Sequence, residues 1–118
     1  MPETDSDGPP AWDESLAAYA PGKYVVIGIT YLDAAGEFLE QTQMHGLIQS
    51  ADPRDGFAVA LEGDRAGEVY WLPPDPRGFQ PADPGEYRLR GTGEVIVDPD
   101  LLSTWTIYRP GARDDAAK

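Results

Sequence analysis

Between Gly46 and Leu61 the chain reads Gly-Leu-Ile-Gln-Ser-Ala-Asp-Pro-Arg-Asp-Gly-Phe-Ala-Val-Ala-Leu. An apolar run leads into a turn built from Asp52, Pro53, Asp55 and Gly56, and Phe57, Val59 and Leu61 then alternate with Ala58 and Ala60. Alternation on both sides of such a turn is the pattern of a β-hairpin. The same pattern predicts strands over 23–32, 38–50, 57–61, 68–72, 86–89, 94–97 and 104–108. The second is too long for one flat strand, so a bend or bulge is expected near Gly46. A chain of such units folds as a mainly β domain, a small antiparallel barrel of five to seven strands.

One helix precedes the strands. Trp12, Leu16 and Tyr19 fall at i, i+4 and i+7, which puts three bulky groups on one face of about two helical turns. Acidic Asp13 and Glu14 favour its start, and Pro21-Gly22 ends it. Alone it would not be stable, so it is expected to pack on the sheet. Strand 23–32 is apolar on both faces, with Val25, Ile27, Ile29 and Tyr31 opposite Tyr24, Val26, Gly28 and Thr30. That pattern predicts a central strand, or one covered by the helix. Residues 73–85 hold five prolines and are expected to form a long, stiff loop.

Residues 1–10 and 110–118 are polar, small and aperiodic, and both are expected to be disordered tails, the first one acidic. One domain over 11–109 remains, large enough to bury about two-thirds of its unfolded surface. The 118 residues include no cysteine, which removes thiol chemistry and Cys-ligated zinc and is compatible with a reducing cytoplasm. The start has neither a basic leader nor an apolar run, and no segment reaches the length of a membrane span. The expectation is a bacterial-type cytoplasmic protein that does not engage a membrane.

Charge narrows the partners. The net charge of −12 comes from 21 acids against 9 bases. Such a surface repels phosphate backbones and anionic lipid, so nucleic acid is disfavoured and a basic protein partner fits.

The extended first strand, Gly46, Asp52 in a turn, Gly56 before Phe57-Ala58-Val59, and Leu89-Arg90-Gly91 before Val95-Ile96-Val97 together resemble an Sm-like barrel over residues 23–97. The chain also resembles small bacterial proteins with an Sm-like or SH3-like barrel, a likeness that carries no function. RNA-binding Sm proteins place an Asp, an aliphatic residue and an Asn after the second strand. Here Asp52-Pro53-Arg54-Asp55-Gly56 stands there and the chain has no Asn, while Arg90-Gly91 matches the second half with Glu94 close by. The resemblance therefore implies a fold without its nucleotide pocket.

Candidate chemistry is sparse. His45 is the only histidine, and it could serve as acid or base only with a carboxylate in reach and a pocket around it. Asp52 with Asp55, and Asp98 with Asp100, could offer oxygens to a cation, but both are ordinary turn residues. No metal site and no cofactor are expected. The distinctive surface candidate is Tyr70-Trp71 leading into the proline segment with Arg77 and Phe79, followed by Tyr87. Tyr70 and Trp71 point to opposite faces of a strand, so one of them lies outside the core. Aromatics with Arg beside a stiff loop suit a protein-binding patch. The expected function is a non-enzymatic protein-interaction module. Alternatives are an acidic antagonist of a basic partner, as an immunity protein or nucleic-acid mimic, and a small hydrolase or lyase using His45. The strand edge at 104–108 could also pair between chains in a homo-oligomer.

Overall fold

A computed structural model describes residues 12–109, and the two expected tails lie outside the described residues. Helix α1 (Glu14–Tyr19) is capped by Asp13, whose carboxylate accepts the Leu16 N–H at 3.0 Å. Trp12 and Leu16 pack on the sheet, but Tyr19 does not join them. Its ring is half exposed and lies under the Lys23 ammonium, 4.8 Å away.

Eight strands follow among the described residues: β1 (Tyr24–Leu32), β2 (Phe38–Asp52), β3 (Gly56–Leu61), β4 (Val69–Leu72), β5 (Phe79–Pro81), β6 (Glu86–Arg88), β7 (Val95–Val97) and β8 (Leu101–Tyr108). Six form one sheet in the order β4-β3-β2-β1-β8-β5, and β6 and β7 pair separately. The expected antiparallel barrel does not form: β8 lies parallel to β1, and the sheet is mixed and open. A clip at the start of both strands accounts for the parallel pairing. The Tyr24 N–H donates to the Asp100 carboxylate, and the Asp100 N–H donates to the Tyr24 carbonyl, each at 2.9 Å. Both strands thus leave the same end in the same direction. The proline segment also departs from expectation, since it contains a 3₁₀ turn at Pro76–Gly78 and the short edge strand β5. An edge is where Pro81 can be tolerated, because one side needs no N–H.

The irregularity expected near Gly46 lies just beyond it in β2. Its register with β3 shifts between Ile48 and Ser50, and at Gly46 a Cβ would collide with the Ala60 carbonyl, so only glycine allows β3 so close. The curled sheet encloses the main core. Val25, Ile27 and Ile29 of β1 meet Met44, Ile48, Phe57, Val59, Leu61 and Leu72. An aromatic chain crosses it: Trp12 to Phe57 at 5.4 Å, Phe57 to Phe79 at 4.5 Å and Phe79 to Trp105 at 5.9 Å between ring centres.

β1 is central, as its two apolar faces predict. Its second face is covered by the β6–β7 hairpin, whose Leu89 and Ile96 pack on Val26, with Tyr24 and Leu102 alongside. The hairpin covers only one end. Beyond it the register sets Gln43, Gly28 and Thr104 in one row and Gln41, Thr30 and Thr106 in the next, as an open trough of about 300 Å³. Gly28 sits inside a central strand, where glycine costs about 0.5–1 kcal/mol relative to alanine.

Candidate functional site

The first candidate lies where the sheet fails to close. β4 pairs only with β3, and β8 pairs with β5 only over Leu101, Leu102 and Ser103. Residues 104–108 therefore have β1 on one side and no strand on the other among the described residues. These two edges face a common cavity of about 240 Å³ lined by Tyr70, Trp71, Leu72 and Pro73 from one side and Trp105, Thr106 and Ile107 from the other, with Ile29 between them. The alternation of β4 follows the sequence. Tyr70 opposes Val59 and packs on the core, whereas Trp71 opposes Ala58 on the other face and is 51% exposed. Burial, and then the neighbouring Tyr31, push the Tyr70 phenol above its ordinary value.

Trp105 is held firmly. Its indole N–H donates to the Ser103 hydroxyl at 2.7 Å, its ring meets Phe79 edge-on, and Gly78 lies against it where a Cβ would overlap the indole. Val69, Ile107 and Tyr108 leave further apolar surface exposed along the two edges.

The remaining patch residues are placed elsewhere. Phe79 lies in the core between Phe57 and Trp105. Arg77 folds back on Asp75 with two hydrogen bonds, Nε at 3.0 Å and Nη2 at 2.9 Å, and that guanidinium holds the Asp75 carboxyl below its usual range. Tyr87 lies on the opposite side of the sheet at the trough, its hydroxyl donating to the Asp83 carbonyl at 2.6 Å. Tyr70 and Trp71 are thus brought together with Trp105 and Ile107, two residues not singled out from the sequence. The signal was present there as alternation of large apolar groups in the last strand.

His45 forms a second cluster. Its Nδ1 is 2.6 Å from the Tyr24 hydroxyl and its Nε2 is 3.2 Å from Glu94 Oε1. A carboxylate only accepts, so the contact with Glu94 is made by an N–H at Nε2. Glu62 stands 3.3 Å from the same phenol. Glu94 also accepts from the Thr92 hydroxyl at 3.1 Å and the Asp64 N–H at 3.2 Å. Burial pushes the Glu94 carboxyl up, but the hydrogen bonds from Thr92, His45 and Asp64 outweigh it and hold it below its ordinary value. The carboxylate required of a catalytic His45 is therefore present. His45 itself is 7% exposed and lines neither the seam cavity nor the trough. Through its contact with Glu94, His45 links the β6–β7 turn to β2. Arg90 adds to that fastening, its N–H donating to the Gln43 side-chain carbonyl at 2.6 Å.

This cluster gives stability a signature at high pH. Burial first, and then the charge and hydrogen bond of Glu62, push the Tyr24 phenol from 10.0 to about 12. Between those values the unfolded chain has released a proton that the folded chain keeps, so stability is complete below pH 10 and falls as pH rises toward 12. Tyr24→Phe is expected to lower the urea midpoint at pH 8 by the equivalent of about 1 kcal/mol. It is also expected to flatten the decline between pH 10 and 12. Equal slopes in the two proteins would show that Tyr24 is not the titrating group.

Three of the four acids in the two acidic pairs accept from backbone N–H groups. Asp52 accepts from the Arg54 and Asp55 N–H groups at 2.8 and 2.7 Å, and these bonds hold its carboxyl below the usual range. Asp98 accepts the Gly85 N–H at 2.7 Å, and Asp100 holds Tyr24 as described. Comparison of the chain with protein-family models, with curated proteins and with solved structures finds no match, so the functional reading rests on the geometry of these two sites.

Proposed function

We propose that this protein is a non-enzymatic interaction module that takes an extended, apolar segment of a basic partner protein into the seam between β4 and residues 104–108. The observation that carries the reading is the shared cavity between two strand edges, each unpaired on its outer side. An edge presents main-chain donors and acceptors that template another strand, and alternate side chains of an added strand then enter the pocket beneath. The fold is read as an opened form of an Sm-like or SH3-like barrel, in which the partner fills the missing position. The net charge of −12 favours basic residues flanking the bound segment. Of the seven bases over 12–109, Arg65, Arg77 and Arg109 already pair with Glu68, Asp75 and Glu40.

A peptide of alternating valine and lysine tests the reading. Its binding is expected to slow amide exchange at residues 69–72 and 104–108, to alter tryptophan emission from Trp71 and Trp105, and to weaken with salt. Ile107→Lys puts a like charge at the seam and is expected to weaken binding at least tenfold, about 1.4 kcal/mol. Absence of protection at both edges would refute the seam as a strand acceptor. A dimer of the free protein with the same amides protected would instead assign the seam to self-assembly.

A further inference from the structure

The trough on the opposite face adjoins the seam, sharing Trp105 and Thr106 with its cavity, but differs from it in chemistry. Its floor is Gly28, flanked by Gln43 on β2 and Thr104 on β8, and the next row is Gln41, Thr30 and Thr106. A quarter of this chain is charged, yet none of the residues that line the trough is.

Nothing among the described residues requires a glycine there. Gly28 does not have a positive φ, and a Cβ built on it meets no atom within 4 Å. At Gly46 a neighbouring backbone requires glycine; at Gly28 a Cβ would meet open space among the described residues. A strand glycine often marks a bulge, a bend or the close approach of another group, and β1 keeps its register with β2 at Gly28, so no bulge accounts for it.

We infer that the trough binds a neutral saccharide of one or two sugar units, with its ring over Gly28. The main chain of β1 is consumed by ladders to β2 and β8, so a peptide strand finds no edge to pair with. Beside the apolar Val26, Leu102 and Trp105, the trough offers hydroxyls and amides, each able to donate and accept, which suits a ligand with both hydroxyl groups and an apolar ring face. Two of these groups are pre-set: Gln43 accepts the Arg90 N–H through its carbonyl at 2.6 Å, leaving its NH₂ to donate, and Gln41 donates to the Thr30 hydroxyl at 3.2 Å. Tyr87, tethered through its hydroxyl to Asp83, supplies an aromatic wall for the apolar face of a sugar ring. A volume of about 300 Å³ is at the small end of ligand sites.

The test titrates the whole chain with neutral mono- and disaccharides, and with glycerol as a control polyol, while amide chemical shifts are followed. A saccharide is expected to shift Gly28, Gln43 and Thr104 selectively at concentrations up to about 10 mM, where a millimolar site is mostly filled. Gly28→Val fills the floor with a residue favoured in strands, so it is expected to melt no lower than the parent and to weaken binding at least tenfold. The inference is overturned if no saccharide shifts these amides, if glycerol shifts them equally, or if Gly28→Val binds as well as the parent. An unfolded Gly28→Val would overturn it too, because the space above Gly28 would then not be vacant.

Discussion

Phe57→Ala is expected to be among the most damaging single changes in this protein, lowering stability by about 3–5 kcal/mol. Phe57 is fully buried and is the centre of the aromatic chain, with Trp12 on one side and Phe79 on the other. Through Phe79 it supports Trp105, and through its pairing with Leu72 it positions the end of β4. Removing the ring leaves a cavity that the curled sheet cannot collapse into, because Gly56 already brings β3 against the Leu72 carbonyl, where a Cβ would not fit. A fall in melting temperature on the order of 20 °C by calorimetry is the expected reading. A loss below about 1 kcal/mol would mean that the aromatic chain is not what closes the core.

Leu89→Ala acts on the second core and has a different expected outcome. Leu89 is 2% exposed and packs with Val26 and Ile96, so its truncation removes about 2–5 kcal/mol from a cluster of only three buried side chains. Among the described residues the β6–β7 hairpin pairs with no other strand, and it is fastened to the main sheet by this cluster and by the Tyr24–His45–Glu94 contacts. Local opening is therefore expected before global unfolding. Amides of 86–97 should exchange much faster in the variant, while those of β2 and β3 stay protected. Uniform acceleration across the domain would show that hairpin and sheet unfold as one unit.

The order of strands β1 to β4 was legible because alternation and turn chemistry are local properties. Asp52, Pro53 and Gly56 define a turn wherever they occur together, and Phe57, Val59 and Leu61 define a buried face. Pairing between distant strands leaves no such trace. Nothing in the spacing of Tyr24 and Asp100, 76 residues apart, says that they clip β1 to β8 in parallel. The open seam was hidden for the same reason, since it depends on where β8 leaves β5. The opposite orientations of Tyr70 and Trp71 were readable from strand geometry, but their meeting with Trp105 and Ile107 was not. Tyr24, His45 and Glu94 likewise converge only after β2 lies on β1 and the hairpin folds over both, at separations of 21 and 49 residues. Gly28 was visible as a letter, but its vacancy is a property of the surrounding rows.

The parallel neighbour of β1 bears on how the chain is made. Strands β1 to β4 can zip up as hairpins while synthesis continues, but β1 stays an open edge until Leu101 and the residues after it emerge. At about 5–20 residues per second the ribosome leaves that apolar edge uncovered for several seconds. Closing so long a loop makes the last pairing the slow one, so truncation before β8 is the point at which this protein would aggregate rather than fold.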